Sequence, residues 1–117
     1  MAEVVVFGIE NCDQVRKART WLRARRIEHR FHDLRRDGLD LQRLSFWLAR
    51  VPWDSLLNRR GLAWRRLDAE RRAAVTDQAS ASELMLSEPL LVKRPVLQMP
   101  DQIVVGFSEP LYAGLFA

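Results

Sequence analysis

The chain has 117 residues, enough for one domain around a single core, and at 48% hydrophobic content it belongs with folded globules rather than disordered chains. No apolar run approaches bilayer-spanning length, and the N-terminus lacks a basic region followed by an apolar one, so neither a membrane anchor nor a secretory signal is expected. The formal net charge of +4 is carried almost wholly by arginine, with lysine only at Lys17 and Lys93. Acids interleave with Arg23-Ala24-Arg25-Arg26 and Arg71-Arg72, so these clusters read as solvated helix faces. No nucleic-acid-binding motif accompanies them, which argues against a nucleic-acid partner.

In chain order, Val4-Val5-Val6-Phe7 reads as a short β-branched strand that ends in a glycine turn at Gly8. Asn11 is placed as an N-cap, with Cys12 in the first helical turn. Val15, Ala18, Trp21 and Leu22 mark one face of a helix over 13–26. Residues 27–33 alternate as a second strand, with Ile27 and Phe31 on one face. A strand, helix and strand of these lengths make a βαβ unit with parallel strands and a right-handed crossover.

Asp37-Gly38 is a turn signal, and Asp40 caps a helix that carries Leu41, Leu44, Trp47, Leu48 and Val51 and is closed by Pro52. Asn58-Arg59-Arg60-Gly61 is a polar loop, after which Trp64 and Leu67 return the chain to the core. Further helices are expected around 68–75 and 79–87, with Pro89 marking the exit. Leu90-Leu91-Val92, Val96-Leu97 and Ile103-Val104-Val105 are strand-like, the last two pairing as a hairpin across Pro100-Asp101. Ser108-Glu109-Pro110 opens a final helix. The order is βαβ, a helical block, then ββα: an α/β protein on the thioredoxin-like plan, with a helical insertion between its halves.

Cys12 is the single cysteine. By count alone it would read as a small buried hydrophobe. Its position between a strand, a tight turn and a helix reads differently, because the unpartnered N–H groups and the dipole of a helix N-terminus favour a thiolate, which is the nucleophilic form. Val15 stands where a Cys-x-x-Cys motif would have its second thiol, so no disulfide can form within one chain and any redox cycle needs an external thiol. One unpaired cysteine fits a reducing cytosol, and a cytoplasmic location is expected. Arg94-Pro95 is the second signal. A proline opening the third strand of this plan is commonly cis and faces the nucleophile's helix. The backbone before it can bind a thiol ligand as an added strand. Arg94 would bring positive charge to the thiol. Glu10 and Asp13 flank Cys12 and oppose that effect. His29 and His32 sit three apart on a strand and make a poor metal pair, so no metal is expected.

Gly8-Ile9-Glu10-Asn11-Cys12-Asp13, Lys17-Ala18-Arg19, Phe31-His32-Asp33, Arg36-Asp37-Gly38-Leu39, Leu56-Leu57-Asn58-Arg59-Arg60-Gly61 and Lys93-Arg94-Pro95 together resemble the arsenate-reductase-like (ArsC/Spx) family, in its YffB-type branch. The likeness runs over about residues 4–115. It implies one thioredoxin-fold domain, residues 1–117, with the helical insertion at about 36–88. It also implies that Cys12 is the nucleophile and that Arg94 precedes the family's cis-proline. Of the other two anion-binding arginines of glutathione-coupled arsenate reductases, one position falls on Asn58, with Arg59 and Arg60 immediately after it, and the other near Phe107.

The expected activity is thiol-dependent oxidoreduction with glutathione as cosubstrate, acting on a glutathionylated or disulfide substrate. Asn11, Arg59, Arg60, Lys93 and Pro95 are the expected ligand-binding residues, and glutaredoxin is a further candidate partner. The alternatives are arsenate reduction coupled to glutathione and glutaredoxin, or a non-enzymatic Spx-like regulator that binds RNA polymerase.

Overall fold

A computed structural model describes residues 3–117. Its elements, in chain order, are β1 (Val5–Gly8), α1 (Asp13–Ala24), β2 (Arg30–Asp33), α2 (Leu34–Asp37), α3 (Leu41–Leu48), α4 (Trp53–Leu56), α5 (Leu62–Arg65), α6 (Ala69–Ala73), α7 (Gln78–Ser87), a 3₁₀ turn (Pro89–Leu91), β3 (Val96–Met99), β4 (Gln102–Val105) and α8 (Glu109–Leu115). They fall into two compact units, one made of the segments before Leu34 and from Arg94 onward, the other of Leu34–Lys93.

The first unit carries a four-stranded sheet of order β2-β1-β3-β4. β1 and β2 are parallel, as the βαβ pattern predicts, with Val6 opposite Phe31 and Gly8 opposite Asp33. β3 lies antiparallel to both β1 and β4, with Phe7 opposite Val96 and Val96 opposite Val105. Period-two alternation puts Val4, Val6, Leu97 and Met99 into a core with Val15, Ala18, Trp21 and Leu22 of α1 and Tyr112 of α8. Ile27 and Phe31 pack against this cluster, as their shared face predicts. Each fully buried Leu or Val here is worth about 1.5–3 kcal/mol of transfer free energy. α8 begins as expected, Ser108 Oγ accepting from the Leu111 N–H at 3.2 Å.

The exit of α1 shortens the second strand. The Ile27 N–H donates to the Leu22 carbonyl at 2.9 Å and the Arg26 N–H to the Arg23 carbonyl at 3.0 Å, a Schellman closure, so pairing starts only at Arg30. Arg26 holds the left-handed position of that motif at φ +57°, where glycine is the usual residue.

The second unit is helical. Asp40, Asp68 and Asp77 cap α3, α6 and α7, each accepting a backbone N–H three residues on. Gly38, at φ +71°, ends α2. α3 stops at Leu48, short of Val51, and Pro52 is the N-cap of α4. Leu67 is buried as expected, whereas Trp64 is only half-buried.

One expected strand is absent. Leu90-Leu91-Val92 is a 3₁₀ turn whose Leu91 N–H bonds Glu88 at 2.9 Å and whose Val92 N–H bonds Pro89 at 3.1 Å. Pro89 pre-sets a helical φ and lacks a donor for a ladder, and that outweighs the strand-like apolar run. Only Val92 keeps a strand contact, an isolated bridge to Leu57. Among the described residues, no helix is long and apolar enough to cross a membrane.

Tyr112 is fully buried, and its hydroxyl has no hydrogen-bond partner. Burial pushes its pKa well above the ordinary phenol range. Because the folded value is raised, its contribution to stability is complete below the unfolded pKa of about 10 and declines as pH rises past it. Tyr112→Phe is therefore expected to be no less stable than the wild type at pH 7, since an unsatisfied hydroxyl is removed. It should also lose less stability between pH 9 and pH 11, an outcome read from urea midpoints of the two proteins.

Candidate active site

The strand register brings the thiol and the proline signal to one end of the sheet. Because Phe7 faces Val96 and Val96 faces Val105, the loop from Gly8 to Cys12, the Arg94-Pro95 entry to β3 and the Gly106-Phe107 exit from β4 all leave at that end. Gly8 allows the first turn of α1 to sit close. A Cβ built there would stand 2.5 Å from Val15 Cγ2, so any larger residue pushes α1, and Cys12 with it, off the strand end.

Cys12 is itself the N-cap of α1, a position expected for Asn11. Its backbone is extended (φ −143°, ψ 121°), and its carbonyl accepts from the Arg16 N–H at 2.9 Å. The difference matters, because an N-cap side chain is the one able to reach the unpartnered N–H groups of Gln14 and Val15. The thiol makes no capping hydrogen bond, and the residue is half-buried against the core. An ionised sulfur at this place meets free donors and the positive end of the helix dipole.

Asn11 contributes differently from a cap. Its Oδ1 accepts from Arg16 Nη1 at 3.4 Å, and Arg16 also pairs with Asp13. One guanidinium thus spans the residues on both sides of Cys12 and offsets the Asp13 charge. Sequence reasoning missed Arg16, although its spacing from Asp13 (i, i+3) and Cys12 (i, i+4) on a helix is the available signal. Glu10, the other flanking acid, acts on Arg19.

The Arg94–Pro95 peptide is cis, as the plan implies, and Arg94 is half-buried. Part of the nearby backbone is already used: the Pro95 carbonyl accepts from the Gly106 N–H and the Lys93 N–H donates to the Leu56 carbonyl, both at 2.8 Å. Neither group remains for a ligand. Phe107 packs edge-on to Tyr112, centroids 4.7 Å apart, so an aromatic ring stands where the resemblance places a cation. A groove of about 570 Å³ begins at Asp13 and Arg16, follows α1 through Lys17 to Trp21, and is bordered by Phe107.

Cys12, Asn11, Arg94 and Pro95 belong to the first unit, whereas Asn58, Arg59, Arg60 and Lys93 belong to the second. There Asn58 organises its own loop: its N–H donates to Leu91 at 2.7 Å and its Oδ1 accepts from the Arg60 N–H at 3.1 Å. The Arg59 guanidinium lies over the Trp53 ring, 5.4 Å from its centroid. No cluster of three or more metal-ligating side chains occurs among the described residues.

A βαβ–ββα sheet with one cysteine capping the first helix and a cis-proline opening the third strand is the frame of a thioredoxin-like thiol oxidoreductase. The model of the ArsC family matches residues 7–114, and the chain belongs to that family. It is 40% identical to an uncharacterised protein of Haemophilus influenzae, over 97% of this chain and 99% of that one. Among solved structures, the YFFB (PA3664) protein is 41% identical with a TM-score of 0.91, covering 97% of this chain and 99% of that one. An arsenate reductase (ArsC) related protein from Brucella melitensis is 45% identical with a TM-score of 0.75, covering 97% and 94%. At lower identity, 22% over 91% of this chain and 80% of the other, stands the global transcriptional regulator Spx of Lactiplantibacillus plantarum.

Removing Arg16 leaves Asp13 uncompensated beside Cys12. Arg16→Ala is expected to slow iodoacetamide alkylation of Cys12 at pH 7 by about threefold, because an unpaired carboxylate disfavours the thiolate. Asp13→Asn in the same background should restore the rate.

Proposed function

We propose that this protein is a glutathione-dependent thiol reductase acting through Cys12. The observation that carries the reading is a helix-capping thiol at the same sheet end as Arg94 and cis-Pro95, in a chain with no second cysteine. The Cys12 thiolate attacks the glutathione sulfur of a mixed disulfide, forming a Cys12–glutathione disulfide and expelling the substrate thiolate, which takes up a proton. A second glutathione thiolate then attacks the glutathione sulfur of that disulfide. Oxidised glutathione leaves and the Cys12 thiolate is regenerated. The net reaction takes the mixed disulfide and one free glutathione to the substrate thiol and oxidised glutathione: the incoming glutathione sulfur is oxidised as the substrate sulfur is reduced, so atoms and electrons balance.

The chain's own groups have distinct roles in this cycle. The free N–H groups at the start of α1 stabilise the sulfur anion both before attack and after release. Arg94 binds a glutathione carboxylate, the kind of charge-assisted contact guanidinium makes well. The groove along α1, which begins at Asp13 next to Cys12 in the chain, is the candidate for the remainder of the disulfide substrate. Asn11, Lys93, Pro95, Arg59 and Arg60 are further ligand-binding candidates, the two loop arginines as carboxylate partners. Cytoplasmic glutathione is the reductant this cycle requires, and glutaredoxin is a candidate partner.

Arsenate reduction is the second enzymatic reading, suggested by the arsenate reductase names among the relatives. The Phe107 ring packed on Tyr112 and the Asn58 side chain engaged in its own loop weigh against it, since neither supplies a charge to an oxyanion. Binding to RNA polymerase is the non-enzymatic alternative, suggested by the Spx relatives.

The test is steady-state reduction of hydroxyethyl disulfide and of a glutathionylated peptide, coupled to glutathione reductase. The wild type should turn over, Cys12→Ser should not, and Arg94→Ala should raise KM for glutathione by about tenfold or more, the cost of one lost charge-assisted contact. Full turnover by Cys12→Ser would refute the reading. Glutathione oxidation that requires arsenate would replace it with the second.

A further inference from the structure

The opposite end of α1 carries a charge cluster that the thiol chemistry does not use. Arg19, Arg23 and Arg26 follow at intervals of four and three, which places them on one side of α1 and its exit. With Ile27, Glu28 and His29 they line a cleft of about 450 Å³. None of the three arginines has a carboxylate within salt-bridge distance among the described residues, whereas Arg16, Arg30, Arg36 and Arg71 each do.

Three features of this cluster work against stability. Arg19 gains a cation–π contact from the Phe31 ring, 4.3 Å from its centroid, but its Nε is buried with no acceptor. Burial, then the Arg23 charge, push the Arg19 pKa down, and Glu10 offsets them only in part. Arg26 occupies the left-handed position of the helix closure at φ +57°, where glycine would be less strained. The helix dipole accounts for Arg23 in the last turn, but not for a desolvated Arg19 or for arginine at a strained position. Unneutralised guanidinium groups held at such cost around a cleft point to an anion supplied from outside the chain.

We propose that this cleft binds a phosphate group, with Arg19, Arg23 and Arg26 as its ligands. A single carboxylate would leave most of the cluster's charge unmet, whereas a phosphate dianion offers several oxygens to several guanidinium forks. His29, its Nδ1 3.1 Å from the Ile27 carbonyl, completes the wall, and Glu28 stands on the rim as the one acid lining the cleft. Cys12 caps the N-terminal end of the twelve-residue α1, so along the helix Arg19 stands about 10 Å and Arg23 about 17 Å from it, and the cleft is distinct from the thiol.

The experiment is amide NMR titration of the full chain at constant ionic strength with inorganic phosphate, O-phosphoserine and acetate. Phosphate or O-phosphoserine should produce saturable shifts confined to residues 19–29, unchanged in Cys12→Ser. The tighter of the two reports whether a free or an esterified phosphate is the natural ligand. Arg26→Gly and Arg23→Gln should each weaken binding by at least about tenfold, as expected for loss of a charge-assisted contact. Arg26→Gly should also be at least as stable as the wild type in urea, so its loss of binding cannot be read as unfolding. Neither variant should alter disulfide turnover. No saturable shift, equal shifts with acetate, or undiminished binding by Arg26→Gly would overturn the proposal.

Discussion

The antiparallel pairing of β1 with β3, Phe7 against Val96 and Val6 against Leu97, decides where the chemistry of the first unit can occur. β1 is paired on both sides, to β2 and to β3, so its ends are fixed. A slip of one residue would turn Val6 and Leu97 away from α1 and bring Phe7 and Val96 in their place, and burial on both faces opposes that. With the register held, the chain must leave β1 toward Cys12 where it enters β3 from Arg94-Pro95. Gly8 completes the constraint, because only the absence of a side chain lets Val15, and with it the first turn of α1, approach so closely.

The consequence is a division of labour along α1. Its apolar face, Val15, Ala18 and Leu22, is buried and anchors the helix to the sheet. Its N-terminus ends in a thiol where a hydroxyl or carboxylate cap is usual, so donors that normally stabilise the helix are available to a sulfur anion. Arg16 offsets the nearest acid. At the other end the arginines exceed their carboxylate partners. The ArsC-family frame here carries a single cysteine, so the cycle proposed above takes its resolving thiol from outside the chain.

Much of the first unit was legible because its signals are local and agree with one another. The β-branched run before Gly8, the 3.6-residue stripe of α1, the hairpin across Pro100-Asp101 and the Ser108 cap each specify one structure, and each appears. Where two local signals compete, pattern alone misleads. The strand-like apolar run Leu90-Leu91-Val92 gives way to the turn geometry set by Pro89, and Asn11, though a better cap former than cysteine, lies one residue too early. Cys12 and Arg94 stand out as candidates in the sequence because of their neighbours in the chain. Arg16 could not be picked out among so many arginines, since its role comes from reaching two flanking side chains at once. Arg23-Ala24-Arg25-Arg26 reads as a solvated face from sequence, which shows neither the burial of Arg19 beside it nor the backbone strain at Arg26.

The central claim is that Cys12 passes through a covalent disulfide with glutathione that external glutathione resolves. The direct measurement is intact-mass analysis of the full chain, mixed with a glutathionylated peptide in the absence of free glutathione and then quenched with acid. The account predicts a gain of one glutathionyl group, mapped to Cys12 by peptide digestion. On adding reduced glutathione, that group should disappear at least as fast as steady-state turnover. An unmodified Cys12 during active turnover, or an adduct that glutathione removes more slowly than turnover, would contradict it.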